Sequence, residues 1–103
     1  RGKGTAQNFK KAFEWYTKAA KQGNVNAQYN LGLLYYDGKG TAQNFKKAFE
    51  WFKKAAEQGY TPAQEYLGSM YFNGRGTTEN YQKACEWWEK NGESPIEIHI
   101  EYA

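Results

Sequence analysis

The stretch G-K-G-T-A-Q-N-F-K-K-A-F-E-W-F-K-K-A-A-E-Q-G, residues 38–59, returns along this chain at a fixed spacing. Moved back it falls on residues 2–23, where residues 4–15 and 40–51 are identical letter for letter. Moved forward it keeps Gly76, Asn80, Lys83, Ala84, Glu86 and Trp87 in place. Gly4, Gly40 and Gly76 set the period at 36 residues. Self-similarity at roughly 20–50 residues marks an array, in which each unit buries its apolar face against the next. No other feature of the chain constrains its fold as strongly.

Each unit reads as two helices. Asn8, Asn44 and Asn80 stand just before an amphipathic run, where a side-chain acceptor caps a helix. In the first run Phe9, Ala12, Phe13, Trp15, Tyr16, Ala19 and Ala20 cover one broad face at about 100° per residue. Lys10, Lys11, Glu14, Lys18 and Lys21 fill the other. Gly23 and Gly59 then stand where a left-handed residue ends a helix. This predicts a helix B over 8–22, 44–58 and 80–91. A helix A is predicted over 26–36 and 62–72, with Ala27, Leu31, Leu34 and Tyr35 buried and Ala63, Leu67, Met70 and Tyr71 as their matches. Thr61 is its expected N-cap in the second instance, with Pro62 as first helical residue. Gly32 and Gly68 recur inside helix A, where glycine costs about 1 kcal/mol relative to alanine. Their shared register points to a helix B too close for a side chain.

The Gly-x-Gly-Thr motifs near residues 2, 38 and 74 suit tight loops. A phosphate cradle needs a strand ahead and Lys-Ser or Lys-Thr behind, and here a helix is predicted ahead. At 103 residues the chain is one domain, and 40% hydrophobic with 18% aromatic residues argues for a folded one. A net charge of +3 with 24% charged residues is mild and mixed. The lone Cys85 makes no intramolecular disulfide, and no apolar run is long enough for a membrane span. The chain starts at Arg1, mid-repeat and without Met, and so reads as a fragment or processed product.

The run A-Q-Y-N-L-G-L-L-Y-Y-D-G-K-G, followed by N-F-K-K-A-F-E-W-F-K-K-A-A-E-Q-G, resembles the Sel-1-like repeat, a tetratricopeptide-type unit. The matching positions include Ala27, Leu31, Gly32, Tyr35, Gly38, Gly40, Lys47, Ala48, Trp51, Phe52, Ala55, Ala56 and Gly59. The next copy supplies Ala63, Leu67, Gly68, Tyr71, Gly74, Gly76, Lys83, Ala84, Trp87 and Trp88. The resemblance runs from residue 2 to about 92. It implies an all-α solenoid of αα-hairpins wound as a right-handed superhelix. The expected organisation is a partial repeat over 1–23 with helix B only, full repeats over 24–59 and 60–92, and a cap or tail over 93–103. A cysteine-rich branch of the family carries paired cysteines in each repeat. Here Phe13 and Phe49 stand at the positions of Cys85, which is therefore expected as a small core residue.

No set of titratable groups converges in the sequence, and His99 is the only histidine, so no metal or cofactor is expected. Glu14, Glu50 and Glu86 precede Lys18, Lys54 and Lys90 by four residues, the spacing of solvated helix-surface pairs. A nucleic-acid footprint is a one-sided basic stripe interleaved with aromatics; here glutamates interrupt the lysines and the aromatics lie opposite. The more informative stripe is on helix A: Asn26, Tyr29, Leu33 and Tyr36, with Pro62, Glu65, Ser69 and Phe72 in the same register. In tetratricopeptide-type superhelices that side lines the concave groove. The resemblance thus implies a non-catalytic scaffold whose partner, a peptide or protein, meets Asn26, Tyr29, Leu33, Tyr36, Glu65, Ser69 and Phe72. Packing against neighbouring helices is the other role open to Tyr29, Leu33 and Tyr36. Two alternatives stand beside the scaffold: a structural spacer in a longer array, and a β-lactamase-like hydrolase by analogy with the cysteine-rich branch. The second lacks the paired cysteines and any Ser-x-x-Lys motif.

Both ends raise expectations. The first helix B has no helix A ahead of it, so Phe9, Phe13 and Tyr16 should be partly uncovered, and association through that end is expected, either with the missing repeats or with another copy of the chain (self-association). In residues 93–103, Ile96, Ile98 and Ile100 alternate with Glu97, His99 and Glu101 as in a strand. Ser94-Pro95-Ile96-Glu97 is also a capping box with Pro at the first helical position. A short capping helix is favoured over a strand or extended tail.

Overall fold

The computed structural model describes residues 2–90, with side chains from Asn8 onward. Among the described residues every element is helical: α1 (Gly2–Lys21), α2 (Val25–Asp37), α3 (Phe45–Glu57), α4 (Thr61–Asn73) and α5 (Tyr81–Lys90). Each helix packs on the next in chain order, α1 on α2 through to α4 on α5. That is the expected αα-hairpin solenoid, with α2 and α4 as helix A and α1, α3 and α5 as helix B. The cap or strand expected over 93–103 lies outside the described residues.

Recurring local chemistry fixes the helix ends. Asn44 Oδ1 accepts the Lys47 amide at 3.0 Å, and Asn80 Oδ1 accepts the Lys83 amide at 3.0 Å. Each cap meets one of the orphan donors of a first turn. Gly23 and Gly59 adopt φ of 95° and 90°. Around them the Asn24 amide reaches the Ala19 carbonyl and the Gly23 amide the Ala20 carbonyl, with Tyr60 and Gly59 repeating the pattern on Ala55 and Ala56. This paired closure satisfies carbonyls that the helix end would leave open.

Two starts differ from the sequence reading. Helix α2 begins one residue earlier, at Val25, because Asn24 caps it by accepting the Ala27 amide at 2.8 Å. Helix α4 begins at Thr61, so Thr61 is not its cap; Tyr60 holds that position and makes no side-chain cap bond. The Tyr60 ring instead packs 5.1 Å from that of Tyr29, and Pro62 in the first turn suits the helix without a cap.

The largest departure is at the start of α1. Residues 2–8 were expected as a loop ending on an Asn8 cap, yet the helix runs from Gly2. The reason lies in what the same letters do at 38–44. There Gly38 and Gly40 take φ of 69° and 76°. The Lys39 amide donates to the Leu34 carbonyl, the Asn44 amide to that of Tyr35, and the Gln43 side chain to that of Tyr36. All three acceptors are the last carbonyls of α2. In this sequence the first copy has no helix A ahead of it to supply them, and its backbone groups pair within a helix instead.

The core repeats with the sequence. Leu31 and Leu67, Ala27 and Ala63, Ala48 and Ala84, and Phe52 and Trp88 are all buried. Gly32 is buried under Phe52 and leaves no room for a side chain: a Cβ there would come within 2.8 Å of the ring. At Gly68 the Trp88 indole takes the same seat. The expected close approach of helix B is therefore present in both units. Two buried glutamines complete the unit. Gln28 Nε2 donates to the Ala20 carbonyl at 3.2 Å, and Gln64 Nε2 to that of Ala56 at 3.0 Å.

Candidate functional site on the helix-A side

The site residues anticipated from the sequence fall on α2 and α4, and the structure does not treat them alike. Asn26 is exposed; Tyr29, Leu33, Tyr36, Glu65 and Phe72 are half-buried; Ser69 is buried. Ser69 is a correction, since its short side chain stays within the wall and its hydroxyl accepts the Asn73 amide at 3.4 Å. Tyr29, Leu33, Tyr36 and Phe72 all pack against the buried core around Phe52 and Trp88. These side chains are therefore both braced and half open to solvent.

Their organising centre is Phe52, the fully buried residue of α3 that closes on Gly32. Tyr66 stacks on it with ring centres 4.9 Å apart and planes 16° apart. Tyr29 lies 5.7 Å from Phe52 and 6.1 Å from Tyr66. Tyr36 meets Tyr66 edge-on at 5.5 Å and Phe45 at 5.1 Å. Offset and edge-to-face pairs of this kind each add about 0.5–1.5 kcal/mol beyond burial. The rings thus form one cluster shared by α2, α3 and α4.

Polar groups surround it. Arg75 Nη1 donates to the Tyr36 hydroxyl at 2.6 Å, and the guanidinium stands 5.3 Å from the Phe45 ring centre. Asn26 Oδ1 accepts from Asn30 at 3.0 Å and from the Tyr60 hydroxyl at 3.4 Å. Burial, then the Asp37 carboxylate and the Tyr36 phenol, push the Tyr66 hydroxyl above its ordinary value, so it stays a neutral donor and acceptor. Chemically the surface offers rings, hydroxyls, amides and one guanidinium. Among the described residues no group of three or more His, Cys, Asp or Glu could hold a metal ion, and no helix is long and apolar enough to cross a membrane.

Sequence reasoning missed Tyr66, Tyr60, Phe45 and Arg75. The signal for Arg75 was its register, between Gly74 and Gly76 as Lys39 is between Gly38 and Gly40; in the structure Lys39 stands 5.1 Å from the Phe9 ring centre and Arg75 5.3 Å from that of Phe45. Tyr66 and Tyr60 replace Asn30 and Asn24 and so carry no repeat signature. On helix B, Lys54 and Lys90 lie over the rings of Trp51 and Trp87, at 5.9 and 4.3 Å. Cys85 is half-buried, not the core residue expected, and Trp15 of the anticipated apolar face is 65% exposed.

The family model for the Sel1 repeat matches residues 1–24, 25–60 and 61–90. A search of curated proteins returns no match. Among solved structures, a Sel1 repeat protein from Oxalobacter formigenes is similar, with 38% identity, a TM-score of 0.78, and 80% of this chain against 24% of that one covered. A protective antigen of uropathogenic Escherichia coli strains, described as displaying an SLR fold, is 40% identical with a TM-score of 0.73. That alignment covers 78% of this chain and 17% of the antigen. Cysteine-rich protein B of Helicobacter pylori shares the fold at 24% identity and a TM-score of 0.72, over 84% of this chain and 62% of that one. The chain thus spans less than two thirds of the length of each.

Proposed function

This chain belongs to the Sel1 repeat family, and on that premise we propose that its helix-A side holds a peptide or a partner protein's surface. Sel1 repeats mediate protein interactions, and proteins built from them are generally non-catalytic scaffolds. The observation that carries the reading is the braced row of half-buried rings Tyr29, Tyr36 and Tyr66 beside Arg75 and Asn26. Tyrosine and arginine dominate binding hot spots, and rings already held by Phe52 lose little freedom when a partner covers them. Hydroxyls and amides between the rings suit the alternating donors and acceptors of a peptide backbone.

The test uses a photo-crosslinking residue in the folded chain. Placed at Asn26 or Leu33 it should capture the partner, whereas at exposed Lys46 on helix B it should not. With that partner in hand, Tyr29→Ala or Tyr36→Ala should weaken binding at least tenfold, about 1.4 kcal/mol, with Lys46→Ala as the neutral control. The packing of Tyr29, Leu33 and Tyr36 on the core favours a second reading, a spacer within an array. Unchanged affinity with a lowered melting point in both tyrosine variants would select the spacer.

A further inference from the structure

A cavity of about 310 Å³ lies on the helix-B side, between Lys53 and Glu57 of α3 and Lys83, Glu86, Trp87 and Lys90 of α5. Tyr71 of α4 completes its lining, and none of these residues belongs to the ring cluster around Phe52. Its volume is at the lower end of the roughly 300–1,000 Å³ of small-molecule sites. The parts are held in place. The Phe49 ring meets Tyr71 edge-on at 5.3 Å, and the Lys83 ammonium stands 5.7 Å from the Tyr71 ring centre. The Lys90 ammonium stands 4.3 Å from the ring centre of Trp87. Tyr71 is 7% exposed, yet its hydroxyl has no hydrogen-bond partner among the described residues. Buried hydroxyls are nearly always bonded, so this one marks a place for a further group.

The groove one period earlier is built differently. Thr17 and Lys21 stand where Lys53 and Glu57 do, whereas Tyr35, Lys47, Glu50, Trp51 and Lys54 match the rest. Thr17 turns its hydroxyl back to the Phe13 carbonyl at 2.7 Å, Tyr35 is only half-buried, and Lys54 stands 5.9 Å from its ring centre. The second groove thus has a lysine one turn earlier on its helix and a glutamate that the first lacks. The chemistry of this lining names a ligand. Three ammonium groups and a phenol hydroxyl present donors, which calls for a negatively charged acceptor. Glu57 and Glu86 limit that charge: against three lysines they leave one positive charge over, which suits a monoanion and not a phosphate dianion. The Trp87 ring and the lysine stems supply an apolar wall. We infer that this cavity binds a small carboxylic acid as its monoanion. The carboxylate lies between the Tyr71 hydroxyl and the ammonium groups of Lys53 and Lys83, with the apolar body beside the Trp87 indole. Ammonium groups already held over rings lose little freedom when it arrives.

The experiment titrates the whole chain with phenylacetate and follows the indole N–H signals of Trp51 and Trp87 by nuclear magnetic resonance. The expected result is a saturable shift of Trp87 and of the backbone amides over 83–90, while Trp51 in the first groove moves far less. Phenylacetamide, the neutral counterpart, should bind about tenfold more weakly, since it brings no charge to the lysines. Tyr71→Phe removes only the hydroxyl and should weaken phenylacetate about threefold or more, with the unfolding midpoint unchanged. Lys53→Thr, which installs the side chain found at Thr17, should weaken it by about tenfold. An unmoved Trp87, equal shifts at Trp51 and Trp87, or inorganic phosphate that binds more tightly than phenylacetate would each overturn the proposal. Undiminished affinity in the Tyr71→Phe and Lys53→Thr chains would overturn it too, since the bound acid would then lie elsewhere.

Discussion

Residues 2–15 and 38–51 are the same fourteen letters, and they do not fold alike. From 9 and 45 onward both are helix B. Ahead of that point residues 2–8 are helical, whereas 38–44 form a turn with two left-handed glycines and an asparagine cap. Local propensity is identical by construction of the sequence, so it decides neither. What differs is the supply of acceptors. The turn exists where α2 presents its last carbonyls, and the helix exists where nothing in this chain does so. The same contrast holds for packing: Phe52 is fully buried on Gly32, while its counterpart Tyr16 is half-buried.

The comparison can be broken most forcefully at the seats. Phe52→Ala should cost about 3–5 kcal/mol, since it empties the centre of the aromatic cluster. Tyr16→Ala should cost less, about 2 kcal/mol, because that side chain is only partly buried, at the edge of the Ala20, Ala27 and Leu31 cluster. Urea unfolding of the two variants measures the gap, and equal losses would mean that the first copy is seated as well as the second.

A smaller effect with opposite signs comes from the glycines. At Gly40, φ is 76° and an added Cβ would strike the Phe9 carbonyl, so Gly40→Ala should destabilise by about 2 kcal/mol. Gly4→Ala lies within α1 and should stabilise by up to about 1 kcal/mol. Thermal midpoints that move the same way in both variants would place residues 2–8 in the turn. Smallest are the caps. Asn44→Ala should lose about 1 kcal/mol with its bond to the Lys47 amide, while Asn8→Ala should gain about half that as a better helix former. Circular dichroism during denaturant titration resolves both.

Much of the array was legible because periodic letters act through periodic contacts. Leu31, Gly32 and Asn44 could be assigned from the register alone, since each does the same thing in the next unit as Leu67, Gly68 and Asn80. The start of α1 was not legible, because its conformation depends on groups outside the repeated letters. The candidate site was read by half. Tyr29 and Tyr36 stand out on a helical wheel, but Tyr66 and Tyr60 break the repeat, and the stack on Phe52 joins residues of three helices. Ser69 shows the reverse error, in which correct register placed a side chain too short to reach the surface.

The buried glutamines carry a mechanical consequence. Gln58 Nε2 donates to Gln28 Oε1 at 2.8 Å, and Gln28 donates in turn to the Ala20 carbonyl, so an amide thread ties α1, α2 and the end of α3. The hydrophobic effect has no preferred direction, whereas hydrogen bonds lose strength steeply with angle and length. The thread thus favours one relative placement of these three helices. Sliding or twisting one helix pair past the next therefore strains this thread as well as the packing around it.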